Sequence, residues 1–140
     1  MLTEFFQEIN WLSILTAGAA YFALGALWYS ILFQKKWIEY SGINMDHPNA
    51  KKGVVTIMFI SFIMMLITAV GLAILAQYAS LKGWESGIKL GVLTGVCFAL
   101  TSIAINMLYE KKPIGLYYIN GGYQLLGNII AAAIICGWRN

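Results

Sequence analysis

Lysine, arginine, aspartate and glutamate fall in short clusters along the chain and leave four long stretches without any of them. The stretches run from Ile9 to Gln34, Gly53 to Leu81, Leu90 to Tyr109 and Pro113 to Trp138, and contain 26, 29, 20 and 26 residues. At 1.5 Å per residue, a helix crosses the roughly 30 Å of bilayer hydrocarbon in about 20 residues. Backbone amides in lipid must pair within the segment, and the runs show no apolar/polar alternation of period two, so helices are predicted rather than barrel strands. The pattern predicts an all-α integral membrane protein. Its four transmembrane helices, over approximately 9–34, 53–81, 87–110 and 113–138, form an antiparallel bundle and a single transmembrane domain spanning 1–140. The polar stretches between them are too short for a second domain.

Composition removes the main competing class. Apolar residues make up 60% of the 140 and charged residues 11%, against about 25% charged in a typical soluble protein, so an ordinary water-soluble domain is excluded. Ala17, Gly18, Ala19 and Ala20 supply small residues of the signal-cleavage type. A signal peptide, however, wants a basic leading region and a short apolar core, whereas Glu4 and Glu8 precede a long run here; the first stretch is predicted to stay as the first span.

Charge also sets the expected orientation. The first connection carries Lys35, Lys36, Lys51 and Lys52 and the third carries Lys111 and Lys112, giving six on one side, against Lys82, Lys89 and Arg139 on the other. The larger group belongs in the cytoplasm, which puts both termini on the non-cytoplasmic side. Trp11, Trp84 and Trp138 then mark the outer interface and Trp37 the inner one.

Reaction chemistry is sparse. Cys97 and Cys136 both lie inside spans, where cysteine serves as a small apolar packing residue. His47 stands alone in a polar loop beside Asp46 and Pro48, with no second histidine and no CxxC, so no metal site and no cofactor are expected. There is no Ser/His or Cys/His pair, no paired intramembrane carboxylates and no phosphate loop; no catalytic residue is assigned and an enzyme ranks third among the function classes. A channel would need a ring of charges or carbonyls supplied by an oligomer. No nucleic-acid partner is expected, because the net charge of +3 is spread over lysines that flank the spans.

The informative residues are the small and polar ones within the spans. On the third span Gly87, Gly91, Gly95 and Ala99 recur every four residues and form a face that admits another backbone, either of the same chain or of a second copy. That face is expected to continue through Ser102 and Asn106 to Glu110. On the fourth span Asn120, Gln124 and Asn128 recur every four residues, flanked by Tyr117 and Tyr123. Three carboxamides on one helix face would go unpaired against lipid, so they are expected to turn inward and meet the stripe of the third span. Two readings of that meeting stay open. One is interhelical hydrogen bonding at about 0.6 kcal/mol apiece; the other is a polar ligand pocket opening to the cytoplasm, with Glu110 at its mouth or serving only as an interfacial anchor. Tyr21, Gly25, Trp28 and Tyr29 of the first span would wall such a pocket or pack in the core. The second span, with Met58, Met64 and Met65 and only Thr56, Ser61 and Thr68 to break its apolar surface, reads as the most lipid-exposed. Phe33-Gln34-Lys35-Lys36 echoes Tyr109-Glu110-Lys111-Lys112, a weak sign of a parallel repeat, since aromatic-polar-Lys-Lys is common at cytoplasmic helix ends.

Gly25-Ala26-Leu27-Trp28-Tyr29-Ser30, then Trp37, Gly87 to Gly95, Asn106-Met107-Leu108-Tyr109-Glu110, Ile119-Asn120-Gly121-Gly122-Tyr123 and the terminal Trp138-Arg139 together resemble the small bacterial membrane proteins grouped as domain of unknown function 1761. The resemblance spans nearly the whole chain. It implies a four-helix protein of the bacterial cytoplasmic (inner) membrane and no established activity. Many family members carry a histidine after the tyrosine, where this chain has Gln124, which removes support for proton transfer or metal binding at that position but not for an amide-lined pocket.

Two function classes follow. The first is a small-molecule binding or transport protein, with candidate ligand contacts at Trp28, Tyr29, Ser102, Asn106, Glu110, Asn120, Tyr123, Gln124 and Asn128. The second is a structural or assembly protein that docks a partner or a second copy, as a homo-oligomer, through Gly87, Gly91, Gly95 and Ala99. The topology is tested by cysteine accessibility: positions beside Trp11 should be labelled from the non-cytoplasmic side, and labelling from the cytoplasm alone overturns the orientation.

Overall fold

A computed structural model of the chain describes residues 2–42 and 53–139. Every regular element in them is helical: α1 (Leu2–Glu8), α2 (Trp11–Leu32), α3 (Gln34–Ser41), α4 (Val54–Tyr78), α5 (Trp84–Glu110) and α6 (Ile114–Gly137). Four of these, α2, α4, α5 and α6, are long and apolar enough to cross a membrane. The short helices α1 and α3, which the charge pattern does not foretell, flank α2. His47, with Asp46, Pro48, Lys51 and Lys52, lies outside the described residues.

Local chemistry sets the helix ends. Asn10 caps α2, its Oδ1 accepting from the amides of Leu12 and Ser13 at 3.1 and 3.4 Å. α4 stops where Ser80 takes a left-handed conformation (φ 52) and the Leu81 N–H reaches back to the Ala76 carbonyl at 2.8 Å, short of the Leu81 limit drawn from charge. Gly83 (φ 87) then turns the chain, and its N–H donates to the Cys136 carbonyl at 2.9 Å, tying the start of α5 to the end of α6. The helix therefore begins at Trp84, a turn before Gly87. Lys111 (φ 57) closes α5 in the same left-handed way, and Pro113 leads into α6.

α6 is the helix around which the others pack. Half of its apolar window is buried, against 17–28% for the other three spans. Small residues make the approach possible, because between apolar helices in lipid the attraction is close packing rather than exclusion of water. A Cβ on Gly87 would strike the backbone of Ala132 and Ala133; one on Gly91 would strike Asn128 and Ile129, and one on Gly95 would strike Leu125. The glycine face of α5 is thus filled by α6 of the same chain, with Ala99 half-buried at its end. Ala17, Ala69, Ala76, Ala131 and Ala132 are fully buried where α2, α4 and α6 converge. α4 is the least enclosed span, and residues 54–60 are exposed throughout.

Two π turns decide which residues face inward. They occupy Trp28–Leu32 in α2 and Gly95–Leu100 in α5; at the first, the Phe33 N–H reaches back five residues to the Trp28 carbonyl at 2.9 Å. Each inserts about one residue into a helix of 3.6 per turn, and so rotates everything beyond it by about 100°. An unbroken α5 would carry the glycine face on into Ser102, Asn106 and Glu110. In the structure these three are exposed, while Leu100, Ile103, Ala104 and Met107 are half-buried, and Leu100 fills the space over Gly121. The polar stripes of the third and fourth spans therefore do not meet.

Substitution at the close contact separates packing from propensity. Gly91→Ala should lower stability by about 1–3 kcal/mol through overpacking. Gly71→Ala, on a helix surface with open space around it, should be neutral or gain up to about 1 kcal/mol of helix propensity. Thermal unfolding in detergent reads both, and equal effects would contradict the packing assignment.

Candidate functional site

The four-residue spacing of Asn120, Gln124 and Asn128 on α6 puts three carboxamides on one side of the helix, and α2 supplies their partners. The Tyr29 hydroxyl donates to Asn120 Oδ1 at 2.7 Å, and the Tyr21 hydroxyl donates to Gln124 Oε1. Asn128 Nδ2 donates to the Gln124 carbonyl at 2.8 Å and, at 3.5 Å, to the Tyr21 hydroxyl. The indole of Trp28 donates to the Ile119 carbonyl at 2.9 Å. The Tyr123 hydroxyl, in turn, donates to the Tyr21 carbonyl at 3.3 Å and touches the sulfur of Met65 on α4 at 3.7 Å. From α5, the Thr94 hydroxyl lies 3.2 Å from Asn128 Oδ1.

Aromatic packing holds the cluster in place. The Tyr123 ring sits 5.4 Å from both Tyr21 and Tyr29, edge to face at 77° and 72°, an arrangement worth about 0.5–1.5 kcal/mol per pair beyond area burial. Glycines make room: a Cβ on Gly127 would enter the Tyr21 ring, and one on Gly25 would come within 2.8 Å of the Tyr123 hydroxyl oxygen. At the Lys35 end, α3 folds across the bundle, with Trp37 packed on Tyr29 at 5.7 Å and Tyr40 against Gly115. Tyr21, Thr94 and Gln124 are each the eleventh residue of a span of 22, 27 and 24 residues, so the cluster lies near the middle of the spans.

Of the residues singled out in the sequence, Trp28, Tyr29, Asn120, Tyr123, Gln124 and Asn128 come together here. Ser102, Asn106 and Glu110 lie elsewhere, exposed beyond the π turn of α5. Two members were missed as partners. Tyr21 carries the central hydrogen bond as well as lining the space beside it, and Thr94, buried between Gly91 and Gly95, was hidden by the glycine repeat. Its signal was available: a hydroxyl in mid-span beside a close-packed face. Of the cysteines, Cys136 is buried and Cys97 is exposed.

A groove of about 530 Å³ opens beside the cluster between α2, α4 and α6, with Tyr21, Tyr29, Ser61, Met65 and Gln124 among its lining. A second hollow of about 370 Å³, on the α5 side, includes Thr94, Phe98 and Asn128 and shares Tyr21, Thr68 and Gln124 with the first. Among the described residues, no charged side chain lines either space. The hydrogen bonds are oriented, since Asn128 donates to Tyr21 and Tyr21 donates to Gln124 Oε1. Among the described residues, Gln124 Nε2 has no acceptor for its two hydrogens.

Apolar spans closed on one another by a neutral network of amides and tyrosines define a multi-pass helical membrane protein. A family model described as protein of unknown function (DUF1761) matches residues 12–136, a stretch that holds every member of the cluster, and the chain belongs to that family. No curated protein and no solved structure matches the chain.

The pairing of α2 with α6 can be measured by a double-mutant cycle. Tyr29→Phe and Asn120→Leu should couple by about 0.6 kcal/mol and by no more than about 1.7 kcal/mol, as interhelical hydrogen bonds in membranes do. Strict additivity in unfolding free energy would show that the two side chains do not interact.

Proposed function

We propose that the protein binds a neutral, mostly apolar small molecule in the groove between α2, α4 and α6, where Gln124 Nε2 donates to a carbonyl or ether oxygen of the ligand. The observation that carries this reading is the pairing of an uncharged groove of about 530 Å³ with an amide whose hydrogens lack an acceptor. That volume falls within the roughly 300–1,000 Å³ of small-molecule sites. The outer rim, at Ile57, Ile60 and Met64, is exposed, so the groove faces the lipid side and suits a ligand that partitions into the bilayer. In this reading the spans alternate as an antiparallel bundle in a bacterial inner membrane, with both termini on the non-cytoplasmic side. The rim at Ile57 and Met58, close to Lys51 and Lys52 in sequence, then opens toward the cytoplasm. The competing role, assembly through the glycine face of α5, is weakened because α6 already occupies that face.

Native mass spectrometry of gently extracted protein tests this. A reproducible non-lipid adduct should be present in the unchanged chain and reduced about tenfold in Gln124→Leu, the loss of one donor to a ligand acceptor. Met65→Trp, which fills the groove from α4 and leaves the amides intact, should reduce it as well. An adduct that survives both changes, or none at all, would overturn the proposal.

A further inference from the structure

At the opposite end of the bundle from Lys35 and Lys112, a separate cup of about 320 Å³ is bounded by Glu8 at the end of α1, Asn10 before α2, Gln77 near the end of α4, Lys82 in the α4–α5 turn, and Trp138 and Arg139 beyond α6. All these positions lie at span ends, the level at which lipid headgroups meet helix termini. The cup therefore differs from the mid-span groove in depth and in chemistry.

Its polar groups form two complementary sets. Arg139 Nε donates to the Leu81 carbonyl at 2.8 Å, which orients the guanidinium and leaves its terminal nitrogens for an anion; Lys82 adds a second cation. On the other side, Gln77 Nε2 donates to Glu8 Oε2 at 2.6 Å, and Gln77 Oε1 is buried with no hydrogen-bond partner among the described residues. A buried amide oxygen without a donor is costly, and the Glu8 carboxylate beside it likewise only accepts. Two donors of positive charge and two acceptors in one cup match a ligand that carries an anion and an N–H cation together.

We propose that this cup binds a phosphoethanolamine group, with the phosphate held by Lys82 and Arg139 and the primary ammonium donating to Gln77 Oε1 and Glu8. A phosphocholine group offers the same phosphate but no N–H, so it leaves Gln77 unsatisfied. The cup selects between the two by hydrogen bonding rather than by charge.

The test uses the full chain in neutral detergent, equilibrated with equal amounts of phosphatidylethanolamine and phosphatidylcholine of identical acyl chains, with retained lipid counted by native mass spectrometry. The ethanolamine lipid should be retained over the choline lipid by about tenfold, the effect of one buried hydrogen bond to a charged group. Gln77→Met should move the ratio toward one, the remaining preference resting on Glu8. Lys82→Gln, at an exposed position, should lower retention of both lipids and leave the ratio in place. Soluble phosphoethanolamine in excess should displace the retained ethanolamine lipid more effectively than soluble phosphocholine does, and equal displacement by the two overturns the proposal. Equal retention of the two lipids by the unchanged protein, or a ratio unmoved by Gln77→Met, overturns the proposal.

Discussion

In the middle of a bilayer there is no water to satisfy a side-chain amide, so every carboxamide placed there must find a partner on another helix or remain unpaired at a cost. α6 carries three, and the rest of the arrangement follows from pairing them. Tyr29 and Tyr21 of α2 take Asn120 and Gln124, and Asn128 closes back on α6 while meeting Thr94 of α5. These bonds set the rotation of α6 and make α2 and α5 its neighbours. The glycines serve the same end, since Gly127 lets the Tyr21 ring approach and Gly91 lets α5 reach the backbone of Asn128 and Ile129.

Once α6 is committed to α2 and α5, α4 is held mainly along its second half, where Ala69, Leu72, Ala73 and Ala76 are buried. Its first turns, residues 54–60, are exposed, and the groove lies between α4 and the cluster. At both candidate sites one polar group lacks a hydrogen-bond partner among the described residues. Near mid-span it is a donor, on Gln124; at the cup it is an acceptor, on Gln77.

The spans and their approximate limits were legible because hydrophobic length and charge spacing are one-dimensional properties. The inward orientation of Asn120, Gln124 and Asn128 was legible for the same reason, as a period along one helix. The identity of their partner was not. Extrapolating Gly87, Gly91, Gly95 and Ala99 onward to Asn106 assumes an unbroken α-helical period, and the π turn at Gly95–Leu100 breaks it. No residue within Gly95–Leu100 announces the extra turn, and the one in α2 at Trp28–Leu32 is equally silent. Both lie in the spans whose ends share the aromatic-polar-Lys-Lys pattern.

By itself the sequence determined that this is a membrane-spanning helical chain and which helices carry polar faces. Those conclusions rest on composition and periodicity, which survive without knowledge of neighbours. Only the tertiary structure decided that the amides of α6 pair with tyrosines of α2, that Ser102, Asn106 and Glu110 turn away, and that an uncharged groove and a charged cup lie at different depths. The reason is physical: a rotation of about 100° at one turn leaves the sequence pattern unchanged and redirects every side chain after it.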